Sequence, residues 1–254
     1  MAPLRLAILE ADTPFAAVDA IYHGYHGVFK HLFTRAAAPT PLSSLLTLSQ
    51  HDIVNDYLTA YPSLETVDAV LITGSKHNAY DNDLWITTLV EYTRQALATN
   101  GRVRVIGVCF GHQIVGRAMD MPVARAESGW EVSVTEIRTT EKGRELFGTD
   151  TQKIQQMHRD QVFGLPAGAQ LLAETDICPN QGFIIPGRVI TVQGHPEFTE
   201  FIMDELLRAR HSTGLFSDDV YQSGMDRNGD HHDGLVVARA FIKFLQQDEQ
   251  AQEA

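Results

Sequence analysis

With 254 residues, of which 44% are hydrophobic and 20% charged, the chain can bury a full core without disulfide or metal staples, and it carries no extended Gly/Ser or Pro tract. Its 32 acidic and 20 basic residues leave a formal net charge of −12 with no Lys/Arg cluster, so a phosphate-tracking nucleic-acid surface is not expected. No stretch approaches the roughly 20 apolar residues of a spanning helix, the N-terminal apolar run is too short for a signal peptide, and two cysteines in dissimilar contexts suit a reducing compartment; a soluble cytoplasmic protein without membrane contact is expected.

In chain order, "LRLAILEA" reads as a first strand, and "YHGVFKHLFTRAA" as a helix with Val28, Phe29, Leu32 and Phe33 at helical spacing. "LLTLS" and "VDAVLITG" are the second and third strands. "DNDLWITTLVEYTRQALATNG" is a helix with an acidic first turn, ended by Asn100 and Gly101. "RVRVIGVC" is the fourth strand, and its uninterrupted apolar character predicts a central place covered on both faces. This alternation of strand and helix is the pattern of a mostly parallel sheet. Beyond "GHQIVGRAM" the pattern changes to short strand-like pieces, "GWEVSVTEIRTT", "TQKIQQMH", "AQLLAETD", "GFIIPG" and "RVITVQGH", which predict a small antiparallel extension. Two helices follow, "TEFIMDELLRARHS" and "DGLVVARAFIKFLQQ", the second with Asp233 as its N-cap. With no repeat and no linker, one domain over 1–247 is expected, with a frayed tail over 248–254.

The stretch "GVCFG" at the end of the fourth strand has the form of a nucleophile elbow with sulfur in place of oxygen. A side chain at Gly107 or Gly111 would collide with a neighbouring strand or helix as the chain turns, and the turn strains Cys109. The helix that starts there points unpaired N–H groups at the sulfur, which favours thiolate. A free cysteine is also a common buried apolar residue, but the strand-turn-helix setting favours a nucleophile. Cys178, in "DICPNQG", has no such setting and reads as structural.

A thiolate nucleophile needs a proton shuttle with an orienting group behind it. In "VITVQGHPEF", His195 and Glu197 are two apart, so in an extended segment they leave the same face, and Glu197 can hold the imidazole tautomer. Donors for the oxyanion are expected from the N–H of Phe110 and from Gly74 and Ser75 in "LITGSKHNAYD".

Together, "GVCFGHQ" and "QGHPEF" resemble the class I glutamine amidotransferase superfamily, and "AILEADTP", "LITGS", "MHRDQVFGLPAGAQLLAET" and "CPNQGF" extend the likeness over most of the chain. The resemblance implies a three-layer α/β fold of the flavodoxin-like type, and attack of Cys109 on the γ-carboxamide of glutamine through a γ-glutamyl thioester. It implies His195 as the proton shuttle, Glu197 as its orienter, and Gln113, His158 and Asp160 as substrate-binding residues. It implies a small-molecule γ-glutamyl substrate and no cofactor.

Two features depart from biosynthetic members. The oxyanion loop reads "TGSKHNAYD" in place of Gly-Gly-Pro, and no synthetase domain accompanies the motifs. "ITGSKHNAYD" and "YHGYHGVF" are more similar to stand-alone members, including γ-glutamyl peptidases that act on glutathione conjugates. A peptidase of that kind is therefore one alternative to a glutamine hydrolase; a non-enzymatic or partner-dependent subunit is another, with any synthetase or acceptor partner left open.

"DRNGDHHDG" starts like a calcium loop with Asp226, Asn228 and Asp230, but His231 stands where Gly is needed and Val237 where Glu is needed. No metal is expected there; His231, His232 and Asp233 read as a loop leading into a capped helix. "ESGWE", with Trp130, is a weaker suggestion for the rim of the cleft.

Overall fold

The computed structural model describes residues 2–247, so the expected tail at 248–254 lies outside the described residues. The chain begins with β1 (Leu4–Glu10), α1 (Ala16–Tyr22), α2 (Tyr25–Ala37), β2 (Leu46–Asp52), β3 (Ala69–Ile72), α3 (Leu84–Ala98), β4 (Arg104–Val108) and α4 (Phe110–Ala118). It continues through β5 (Val123–Arg125), β6 (Glu131–Thr139), α5 (Glu141–Phe147), β7 (Thr151–His158), β8 (Asp160–Val162), β9 (Gln170–Leu171), β10 (Ala173–Glu174), β11 (Phe183–Ile185) and β12 (Val189–Val192). The last elements are α6 (Glu200–Ser212), α7 (Asp218–Asn228) and α8 (Gly234–Gln246).

The main sheet runs β2-β1-β3-β4-β12-β11-β9, with β11 and β9 antiparallel and the other neighbours parallel. Alternation along the strands explains why helices cover both faces. Leu6, Ile8, Leu71, Ile106 and Val108 meet Phe29, Phe33, Phe241 and Phe244 of α2 and α8 on one face. Their neighbours Ala7, Leu9, Val70, Ile72 and Val105 meet Ile86, Leu89, Phe110 and Ile114 of α3 and α4 on the other. Each buried Phe contributes roughly 1.5–3 kcal/mol of apolar burial, so these two layers fix the sheet between its helices. β6 and β7 form the antiparallel extension with β10, and β5 pairs with β8. Among the described residues no helix is long and apolar enough to cross a membrane.

Three local expectations are corrected. The acidic residues before α3 lie ahead of its first turn: Asp83 is the N-cap residue but makes no side-chain cap bond, and its carbonyl receives Ile86 and Thr87 N–H. Asp233 does precede α8, yet its carboxylate accepts the Lys153 N–H at 2.8 Å and ties the helix entry to β7 instead of capping it. Asp226 and Asn228 fall inside α7, a helix whose sparse apolar residues hid it between the two expected ones. In α7 the backbone carbonyls are turned into the helix, which leaves no calcium-loop geometry there.

Candidate active site

Strand β4 ends at Val108, and α4 starts at Phe110, so Cys109 alone makes the turn, with φ 52° and ψ −105°. A non-glycine residue rarely holds a positive φ, and the surroundings enforce it. Cys109 N–H is anchored to Val192 O at 2.9 Å, and its carbonyl accepts Gln113 N–H to open the helix. The flanking glycines are sterically required. A Cβ on Gly111 would lie 2.2 Å from Ile72 O, and one on Gly107 would lie 2.7 Å from Gly111 O. His112, fully buried and kept neutral by burial that lowers it to about 3, bonds Thr191 Oγ1 through Nδ1 at 2.8 Å and locks α4 onto β12.

β12 leads directly to His195, whose N–H donates to Gln155 O of β7 at 2.7 Å. Its Nδ1 is 2.8 Å from Glu197 Oε1, and its ring stacks on Phe198 with centroids 3.9 Å apart and 5° between planes. The expected same-face relationship of His195 and Glu197 is thus present. Burial works against a charged imidazole here, but the Cys109 and Glu197 charges and their hydrogen bonds outweigh it and raise His195 to about 10.

Cys109, 5% exposed, and His195 border a cavity of about 470 Å³. Phe110 N–H is at the first position of α4, where a helix has no internal acceptor for it. Gly74 approaches His195 so closely that no side chain would fit. Ser75 lines the cavity, although its Oγ accepts the His77 N–H at 3.1 Å and serves the loop turn. Asp12, after β1, holds this loop by accepting Lys76 N–H and Lys76 Nζ, both at 2.8 Å.

Gln113, His158 and Asp160 also line the cavity. Gln113 Nε2 donates to Asp160 O at 2.9 Å and to Gln193 Oε1 at 3.1 Å, so its amide hydrogens are spent on protein groups. His158 Nδ1 is 3.3 Å from the same Asp160 carbonyl. The Asp160 carboxyl is raised by burial, against the pull of Arg125 at 3.6 Å.

Behind His158 is Glu131, which the sequence reading did not single out. Its oxygens meet His158 Nε2 at 2.8 Å, Thr175 Oγ1 at 2.6 Å and Gln181 Nε2 at 2.6 Å. Burial raises the Glu131 carboxyl, and the three hydrogen bonds overcome it and hold the group below its ordinary range. Cys178 lies beside this pair, and Glu131, His158 and Cys178 offer donor atoms within 4.8 Å of one another. The donor chemistry is that of a hydrogen-bonded network: both Glu131 oxygens are engaged, and burial with the Glu131 charge holds the Cys178 thiol protonated.

Tyr25 and Arg210 complete the cavity wall and were also missed. Each looks like an ordinary helix residue in sequence, and only the fold brings α2 and α6 to the cavity that Cys109 borders.

Residues 27–209 match the model of the family described as glutamine amidotransferase class-I. The chain belongs to this family. The chain is 32% identical over 247 residues to a glutamine amidotransferase-like protein of Schizosaccharomyces pombe, covering 95% of this chain and 98% of that one. It is 30% identical to gamma-glutamyl peptidase 3 of Arabidopsis thaliana, over 80% of each. Among solved structures, a glutamine amidotransferase of Thermotoga maritima superposes with a TM-score of 0.74 over 96% of this chain and 99% of that one, at 15% identity, which shows the shared fold. The expected α/β amidotransferase fold is thereby established.

Proposed function

We propose that the chain is a cysteine hydrolase of γ-glutamyl amides. The observation that carries this reading is the His195 imidazole, braced by Glu197 at 2.8 Å through Nδ1 and lining, together with Cys109, a cavity large enough for a small substrate.

In the first half-reaction Cys109 Sγ adds to the γ-carbonyl carbon, and the oxyanion is held by the N–H groups of Gly74 and Phe110. The C–N bond then breaks as His195 gives its Nε2 proton to the leaving amine. A γ-glutamyl thioester remains on Cys109. Water next adds to the thioester carbonyl while His195 takes its proton, the C–S bond breaks, and glutamate leaves as Cys109 and His195 recover their starting state. No redox partner or metal is needed for the balance of this sequence.

Relatives named gamma-glutamyl peptidases, at 30% identity for one and 28% over 94% of the chain for another, support an amide whose leaving group is larger than ammonia. The cavity volume supports it too, since the γ-glutamyl group alone would leave much of about 470 Å³ unfilled. The test is release of glutamate by purified protein from glutamine and from γ-glutamyl dipeptides. Turnover by wild type that is lost in Cys109→Ser is expected; activity that survives in Cys109→Ser, or none on any γ-glutamyl amide, rejects the reading.

A further inference from the structure

A second cavity, of about 180 Å³, lies against the catalytic segment, and Pro196, Glu197, Phe198 and Thr199 form part of its wall. Phe198 borders both cavities, and its ring is the one stacked on His195 at 3.9 Å. Every other polar residue of this wall is basic: His31 and Arg35 come from α2, His231 and His232 from the turn before α8. In a chain of net charge −12, such a concentration of basic groups stands apart from the rest of the surface. His31, Arg35 and His232 have no acidic partner within 4.0 Å among the described residues, and His231 reaches Asp233 at 3.6 Å. Glu197 turns its carboxylate to His195 and has a wholly buried side chain, while the Asp233 carboxylate accepts the Lys153 N–H.

Two helices also begin at this cavity. Thr199 is the N-cap of α6, and Leu235 lies in the first turn of α8. Thr199 accepts the N–H groups of Ile202 and Met203, which leaves those of Glu200 and Phe201 without an acceptor inside the helix. In α8 the Gly234 N–H goes to His232 Nδ1 at 3.2 Å and the Val236 N–H to Asp233 O at 2.9 Å, which leaves that of Leu235. Helix starts carry partial positive charge and favour oxyanions. Because His232 Nδ1 accepts a hydrogen bond, its ring proton is on Nε2, where it can be donated. Burial lowers the His232 pKa, as do the charges of His231 and Arg35, while Asp233 and Glu197 oppose them. A bound anion would add to the second group.

The cavity is smaller than the roughly 300–1,000 Å³ of drug-sized sites, which suits an ion of a few atoms. A guanidinium beside several imidazoles presents donors from more than one direction, as a tetrahedral oxyanion requires. We propose that this cavity binds a tetrahedral oxyanion of the inorganic phosphate class, and that the bound anion acts on His195 through Phe198, the ring common to both cavities.

Binding is read first without turnover. Inorganic sulfate, whose charge does not change around neutrality, is titrated into wild type at constant ionic strength, with calorimetry and NMR of the imidazoles as readouts. Saturable one-to-one binding is expected, with shifts at His232 and, across Phe198, at His195. Arg35→Gln and His232→Gln should each weaken binding by about tenfold, the loss of one charge-assisted hydrogen bond. Binding should tighten as the pH falls, because protonation of His31, His231 and His232 adds donors and charge. Saturating inorganic phosphate should then raise kcat by about fivefold with little change in KM, since a filled cavity supports the ring that backs the imidazole. Arg35→Gln should lose that response and keep the wild-type rate without anion.

Absence of saturable binding overturns the proposal, as does binding that both variants leave intact. Inhibition competitive with substrate would place the anion in the catalytic cavity and overturn it too, and so would a bound anion that moves neither the His195 resonance nor kcat. Only the kcat measurement rests on the γ-glutamyl hydrolase reading. A protein that cleaves no γ-glutamyl amide would remove that reading, and sulfate binding with its His195 shift would still decide the proposal.

Discussion

Gly74 and His195 are in such close contact that a Cβ on the glycine would sit 2.6 Å from the imidazole Cε1. The ring has no room to retreat, because Phe198 stacks on its plane and Glu197 holds Nδ1. Gly74→Ala is therefore expected to tilt the imidazole away from Cys109 or to push back the oxyanion loop. A displacement of about 1 Å at a reacting group lowers rate on the order of a hundredfold, and the strain destabilises the fold by about 1–3 kcal/mol. Hydrolysis kinetics with a denaturant titration check both, and near-wild-type kcat in Gly74→Ala would remove this contact from the mechanism.

The titration of His195 is a second expected outcome. Its value of about 10 depends on the neighbouring Cys109 and Glu197 charges, which outweigh burial. Cys109→Ser should lower it, because burial then opposes Glu197 alone, and Glu197→Gln should lower it as well. Wild type is expected to keep the ring protonated well above pH 8, and each variant to lose the proton at lower pH, as read by NMR of the imidazole. Glu197→Gln should also reduce kcat by on the order of 10²–10⁴, the usual contribution of a positioned acid–base group. An imidazole that titrates near 6.5 in wild type contradicts the charge coupling described here.

Much of this site was legible in the sequence because its chemistry is concentrated in short stretches. Cys109 stands between Gly107 and Gly111 at a strand end, and His195 and Glu197 share one extended segment, so a few local residues carry the geometry. The mostly parallel character of the sheet followed from the alternation of apolar runs and helices, whereas the order of its strands did not. Glu131, Tyr25, Arg210 and Asp12 were not legible in that way. Each is a polar residue on an ordinary strand, helix or loop, and its relation to Cys109 depends on pairings across the fold: β6 against β7, and α6 against the β6 start. Asp233 looked like a helix cap because it stands before an apolar helix, but a closer donor, Lys153 N–H of β7, took its carboxylate.

The Glu131 network sets a pH dependence of stability. Three hydrogen bonds hold its carboxyl below the ordinary 4.5. A depressed folded-state value means stabilisation that is present above about pH 4.5 and lost as the pH falls through the lower, folded value. Glu131→Gln removes the charge and turns an amide N–H₂ toward donors, which is expected to destabilise the protein by about 1.5–3 kcal/mol at neutral pH. Denaturant midpoints at pH 7 and at pH 4 or below should differ more in wild type than in Glu131→Gln. Parallel midpoints across that range would show that Glu131 carries no special share of acid stability.

Asp12 and Lys76 should separate catalysis from stability. The Lys76 side chain is 65% exposed, so the ion pair itself contributes about 0–1 kcal/mol, while the Asp12 carboxylate, 8% exposed, adds about 1–2 kcal/mol through its backbone hydrogen bond, and Asp12→Ala should lower the melting temperature only by a few degrees. The same carboxylate also accepts Lys76 N–H at 2.8 Å, two residues beyond Gly74, and so anchors the loop that carries the proposed oxyanion donor. Loss of a whole oxyanion donor lowers kcat by on the order of 10²–10³. Loosening one should give a smaller effect, roughly tenfold, with KM for glutamine little altered because the loop acts on the developing oxyanion more than on bound substrate. Steady-state kinetics of Asp12→Ala beside a melting curve decide the matter. A large fall in melting temperature, or a change confined to KM, would assign Asp12 to the scaffold or to substrate binding and would take the loop out of transition-state stabilisation.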